Sequence, residues 1–396
     1  MKRKWEATRR GATAALGLVV VLAAAGTLLA AADTWKAAAN GTFSVGTNWT
    51  DGTAPGAADL DLTSAHRLTL TGTTTVDPSY RLMLSGGQLT TGSLVVNGTF
   101  DFQRGTLALT GPAGLIIGTT GPFGSSLTLN DGCRANVTSA LTVNSAAQLV
   151  IDGGQVTAAS AGNFGMILLA GGGLSCSTTL ANQPSGRLVV DTLGNLETPG
   201  AITNAGRLEL LGGAARGGGA GTLTNTGLIL GSGEIAKATT NQTNAGIRVE
   251  AGNHLVFSGT NGTNSGYINV LGGTVEFLQA LANGSTGKIT GRGTYVFDGG
   301  LANLGAMQFS GGPTDVYGSV SLAGTGKVIN SGGYNVATFY NAVDHRGSEI
   351  RTSATNTTVF FGAVTGPGSF TGAGTVQFEG TYSPGASPAL ITFGAT

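Results

Sequence analysis

Residues 202–270 hold four variants of one phrase: ITNAGRLEL (202–210), LTNTGLIL (223–230), QTNAGIRV (242–249) and GTNSGYINV (262–270). In each, an Asn-x-Gly step opens a short piece in which apolar and polar residues alternate. The marker glycines are Gly206, Gly227, Gly246 and Gly266, and the same register continues at Gly287, Gly305, Gly326, Gly347 and Gly368. The intervals between them run from 18 to 21 residues. A unit of that length cannot bury its own apolar face, so it must stack on its neighbours as a solenoid.

Alternation decides the kind of solenoid. Leu208-Glu209-Leu210, Ile247-Arg248-Val249 and Ile268-Asn269-Val270 send successive side chains to opposite faces, which is the period of a strand. Beyond the first 32 residues, no apolar stripe at helical spacing supports a long helix. Glycine pairs separate the strands, among them Gly153-Gly154, Gly212-Gly213, Gly272-Gly273 and Gly332-Gly333, and they read as corners. Two or three short strands and their corners fill one coil. The expected fold is therefore all-β, a right-handed, single-stranded parallel β-helix of about sixteen coils. Spaced by about 4.8 Å, these make a rod of about 75 Å.

The Asn two places before the marker recurs at Asn204, Asn225, Asn244, Asn264 and Asn303, and His345 falls on the same position. A row of surface amides would touch a ligand. An internal row, each amide bonding the next along the stack, is the favoured reading, and these residues are taken as structural.

The chain divides into four parts. Residues 1–32 carry a basic start (Lys2, Arg3, Lys4, Arg9, Arg10), an apolar run and the small-residue step Ala30-Ala31-Ala32, the pattern of a cleavable signal peptide. Residues 33–64 hold Trp35 and Trp49, expected to cap the open end of the core; the rival reading is a sugar-stacking platform. Residues 65–380 carry the coils and 381–396 form a tail, while 212–221 (GGAARGGGAG) reads as a flexible bulge.

Composition narrows the function. Gly accounts for 69 of 396 residues and charged residues for 10%. Lys and Arg balance Asp and Glu at 20 each, and removal of 1–32 leaves 15 against 19. That surface argues against nucleic acid, and after signal cleavage against a membrane, as partner. Cys133 and Cys176 lie 43 residues apart, or two coils. Stacking then sets them about 10 Å apart, beyond disulfide reach unless a coil bulges.

Catalytic patterns are sparse. The acids Asp131, Asp152, Glu209, Glu250, Glu276 and Asp298 fall about one per coil, without the clustering that glycan hydrolases and lyases need. Asp51, Asp59 and Asp61 match no calcium loop. Asp344-His345-Arg346 is the one dense polar triplet: either an acid–base site or, as favoured, a solvated corner replacing the Asn position. His66 and His254 are isolated, which argues against a metal site, and no cofactor-binding loop occurs. The four threonines at 71 and 73–75 lack the coil-by-coil repetition of an ice-binding array.

One resemblance spans nearly all of the chain after residue 32. The opening Thr34-Trp35, Asn48-Trp49, Pro55-Gly56 and Asp59, the Gly/Asn-marked strands, and the ending Ser383-Pro384-Gly385-Ala386-Ser387-Pro388 resemble the autotransporter-associated β-strand repeat proteins of bacteria. Ala389 departs from the second Pro-Gly of that ending. The resemblance implies an exported β-helix passenger, secreted or on the cell surface, with extracellular glycans or other surface proteins as partners. It implies no catalytic residue. The reading reached from sequence is a non-catalytic structural or adhesive module; the alternative is a glycan-binding or polysaccharide-degrading β-helix.

Overall fold

The computed structural model describes residues 41–42, 59–64, 67–70, 72–78, 80–217, 221–260, 262–385 and 392–393. The expected signal peptide, Trp35, Trp49, His66, Asp51 and residues 386–391 of the tail motif lie outside the described residues.

The fold is a parallel β-solenoid of about 15 turns, against the sixteen expected. No helix occurs among the described residues. One coil shows the plan. Arg187–Asp191 lies on a first face, Asn195–Glu197 on a second and Ala201–Asn204 on a third. The next coil repeats the three faces with residues 207–211, residues 214–216 and Thr222–Asn225. Strands of one face pair with strands of that face in adjacent coils, in parallel throughout apart from an isolated antiparallel bridge between Asp152 and Gly171. Chain folding thus follows from each coil's need for the hydrogen bonds of the next.

Register keeps like over like. On the first face Leu188, Leu208, Ile229, Ile247, Ile268, Ile289, Met307, Val328 and Ile350 lie one above the next. All are at most 2% exposed. On the second face Phe257 stacks on Phe277 (ring centroids 4.7 Å, planes 7° apart), and Phe277 on Phe297 at 6.0 Å. Further along the rod Phe339, Phe360 and Phe378 repeat the arrangement. Each such side chain contributes about 1.5–3 kcal/mol through burial. The core is thus a set of apolar columns running the length of the rod.

The corner between the first and second faces is where glycine conformation matters: Gly212 (φ 99°) and Gly272 (φ 98°) turn left-handed there. The sequence reading placed a flexible bulge at 212–221. Residues 212–216 instead belong to strand Arg207–Arg216, with 214–216 in register with 195–197, and residues 218–220 are outside the described set. Pairing also runs beyond the expected limits of 65 and 380. Asp59–Leu62 pairs with 81–84, and Tyr382–Ser383 with Val364–Thr365.

Candidate interaction surface

The repeated asparagines are inside the rod. At the end of eight successive third-face strands, from Asn163 to Asn303, one Asn side chain turns inward, and in all but the last its Nδ2 donates to the Oδ1 of the Asn in the next coil. The bonds run Asn163 to Asn182 (2.8 Å), Asn182 to Asn204 (2.7 Å), Asn204 to Asn225 (2.7 Å) and Asn225 to Asn241 (2.7 Å). They continue Asn241 to Asn264 (2.7 Å), Asn264 to Asn283 (2.7 Å) and Asn283 to Asn303 (2.6 Å). All eight are at most 1% exposed. Most also donate their second Nδ2 proton to a backbone carbonyl, as Asn204 does to Leu228 at 3.1 Å. A buried amide has to be satisfied, and here the stack itself satisfies all but the first rung, where the Asn163 Oδ1 has no partner.

Four of the five asparagines singled out in the sequence, Asn204, Asn225, Asn264 and Asn303, stand in this ladder. Asn244 does not. It is exposed, with φ 68°, in a corner lengthened to Gln242-Thr243-Asn244-Ala245, and Asn241 holds the ladder position. The marker slips by one residue in two coils: Gly246 opens a strand, and Ser348 takes the corner expected for Gly347. Asn-x-Gly does not mark Asn182, Asn241 and Asn283, whose corners are longer, and Asn163, which it does mark, lies upstream of the four quoted phrases. The signal that finds them is an Asn closing the apolar alternation of each third-face strand.

At most of the true corner positions glycine is set by close approach, not by φ. A Cβ on Gly206 would lie 2.2 Å from the carbonyl oxygen of Gly186 in the coil before. Such contact is far inside any tolerated separation.

The triplet Asp344-His345-Arg346 is split. Asp344 and Arg346 are an outward ion pair. His345 is 0% exposed, occupying the ladder column above Leu322, so it is a core residue and not part of a solvated corner. Its Nε2 lies 2.7 Å from the Ser348 carbonyl oxygen, its ring meets Phe370 edge-on at 5.1 Å, and burial holds its pKa below the ordinary value. A ring so enclosed cannot exchange protons with a substrate at the surface.

The six acids do not converge in one cluster: Asp131 and Asp152 share a corner of adjacent coils, Glu209 and Glu250 sit on the first face two coils apart, and Glu276 sits on the second face. Glu209 is clamped by Arg187 (2.9 Å) and Arg207 (3.2 Å); partial burial pushes its carboxyl up, but the two guanidiniums outweigh this and hold it below the usual range. Glu276 meets His254 at 2.7 Å, Glu250 meets Arg248 at 2.6 Å, and Asp61 accepts from Ser85. Among the described residues no group of three or more His, Cys, Asp or Glu is placed to hold a metal ion. Both cysteines are free and buried, and burial pushes the Cys176 thiol up to about 12. Lys237, 2% exposed, spends its ammonium on the carbonyls of Gly200 (3.0 Å) and Gly221 (3.3 Å), and burial lowers its pKa.

What the outer surface does offer is a groove of about 540 Å³ on the third face. Its floor is built of small outward residues from successive coils, Thr263, Ala282, Ala302, Ser321 and then Asp344. Two residues upstream of the groove residues Ser319 and Ala342 stand Tyr317 and Tyr340, stacked at 4.4 Å with planes 2° apart. Phe361 extends the stack at 5.5 Å. All three are partly exposed, and Tyr340 donates to Asp315 at 3.2 Å. Because Tyr340 is covered on both faces, that ring offers a partner only its edge and hydroxyl. Sequence reading missed this stripe; its signal is an aromatic directly after the core position at 316, 339 and 360.

Fold and surface together define the class: a parallel β-solenoid rod with a self-satisfied polar column inside and a shallow groove outside. No family model matches the chain, and no curated protein matches it. Among solved structures it is similar to a crystal structure of a TibC-catalysed hyper-glycosylated TibA fragment, at 16% identity over 70% of this chain and 98% of that one, with a TM-score of 0.35. A likeness at that level assigns no function.

Proposed function

We propose that the protein is an exported structural or adhesive β-helix module at the bacterial cell surface or in the extracellular matrix, and that it is not an enzyme. The observation that carries this reading is the internal ladder. The polar residue repeated coil after coil is consumed in holding the rod together, which suits a spacer or scaffold. The basic-then-apolar start of the chain supports export. The dispersed acids, several of them ion-paired, favour a rod over a hydrolase or lyase, whose carboxylates must converge.

The groove beside Tyr317 and Tyr340 favours one second reading, a glycan-binding rod without turnover. Small floor residues let a chain lie close, and hydroxyls with Asp344 supply hydrogen-bond partners. Cell fractionation with protease shaving tests the first reading: the protein is expected outside the cytoplasm and accessible to added protease. Retention in the cytoplasm overturns it. A glycan array tests the second, with Tyr340→Ala expected to weaken any binding seen.

A further inference from the structure

We propose that His345 is an acid-operated latch: a proton taken up from solvent at Nδ1 opens the coils carrying residues 343–383, while the Asn-laddered body from Asn163 to Asn303 stays closed.

The geometry fixes the tautomer. Nε2 faces a carbonyl oxygen, that of Ser348, which can only accept, so Nε2 carries the hydrogen and Nδ1 is a bare acceptor. Nδ1 is buried and has no hydrogen-bond partner, and neither does the Ser348 hydroxyl. Protonation therefore adds a donor with nothing to receive it and a full charge against Leu322 and Phe370. The ring has no room to turn away, because a Cβ on Gly368 would already lie 2.1 Å from Nε2.

The surroundings do not rescue the charge. On its own segment the Ser348 carbonyl and, less strongly, Asp344 favour the protonated ring, but burial outweighs both and the Asp344 carboxylate is engaged by Arg346. The first-face strands packed alongside bring Lys327, Glu349 and Arg351, none of them buried; Glu349 accepts from Thr371 at 2.6 Å. From the coil above comes Tyr382, packed edge-on against Phe370. Leu322 in the coil below is apolar. The net effect is a pKa depressed by burial, so the stability given by the neutral ring is whole above the ordinary value of 6.5 and is lost as pH falls below it. In the eight coils from Asn163 to Asn303 the same position is a neutral amide that does not titrate. Glu209 and Glu234, held below their ordinary 4.5, act only at still lower pH. Between the two values the Asn column has nothing to titrate; the other described histidine, His254, lies exposed in the body and pairs with Glu276. The latched coil also carries Ala342 and Asp344 of the groove, so opening would dismantle that end of it.

The test is hydrogen exchange by mass spectrometry on the full chain at about pH 7 and about pH 5, corrected for intrinsic exchange. Peptides over 343–383 are expected to lose protection at least tenfold at the lower pH, and those over 163–303 to keep theirs. His345→Asn, the ladder residue, and His345→Leu, matching Leu322, are expected to abolish the difference. Protection of 343–383 unchanged at pH 5, or lost equally in both variants, overturns the latch. Should the variants not fold, the imidazole NMR signals of the wild-type chain decide, since it has three histidines. A His345 signal that titrates at the ordinary value with the fold intact contradicts the proposal; one that shifts only as the folded signals of 343–383 disappear supports it.

Discussion

The side-chain amide of Asn225 donates to Asn241 at 2.7 Å although the two are 16 residues apart, whereas the neighbouring ladder steps span 21 and 23. Coil length varies and the ladder does not. Corners and strand ends absorb the difference: the corner after Asn225 has two residues, Thr226-Gly227, and the one after Asn241 has four. The amide column thus works as a register pin, each bond fixing the height of a coil relative to the next.

Removing a rung from the middle is expected to be costly. Asn225→Ala leaves the Nδ2 of Asn204 and the Oδ1 of Asn241 without their partners, at about 1–3 kcal/mol for each orphaned group. Asn244→Ala, in an exposed corner, is expected to change stability by less than about 1 kcal/mol. Chemical denaturation of the two variants checks this. Equal losses contradict the placement of Asn241 in the column.

Close approach makes the corner glycines intolerant. Gly368→Ala drives a methyl group into the His345 ring and Gly206→Ala into a backbone carbonyl, each expected to cost about 1–3 kcal/mol or more. Thermal melts would show both variants well below wild type. A wild-type melting temperature in either sinks the argument from contact.

The two aromatic columns should respond differently. Phe277→Ala opens a cavity between Phe257 and Phe297 and is expected to cost about 3–5 kcal/mol. Tyr317→Ala, at the surface, is expected to cost less than about 1 kcal/mol. Comparable losses would mean that the outer stack is part of what holds the rod, not a surface available to partners.

Cys133 and Cys176 are expected to stay unmodified by a thiol reagent in the native protein, because the thiolate is the reactive form and burial disfavours it. Both should react once the chain is unfolded, and reductant should leave the melting temperature unchanged. Rapid native labelling of Cys176 would contradict its burial.

Much of the fold was legible because it is written in repetition. The period near twenty and the alternation at Leu208, Ile247 and Ile268 by themselves require stacked parallel strands. The buried amide column was legible in kind but not in membership, since Asn-x-Gly detects only two-residue corners and so selected Asn244 over Asn241. His345 was placed in the right column yet read as solvated, because its flanking Asp344 and Arg346 point outward and a single alternating residue takes the opposite face. The groove left no trace in the sequence: alanine and serine on an outer face look like any solvated strand. Only stacking Ala282, Ala302 and Ser321 makes them a floor.

The central claim, a rod that does no chemistry on glycans, is tested most directly by incubating the purified chain with a panel of polysaccharides, with and without calcium, and assaying new reducing and unsaturated sugar ends. No release above the blank is expected on any substrate, whether or not the chain binds it. Release that depends on the folded chain would contradict the claim and identify an enzyme.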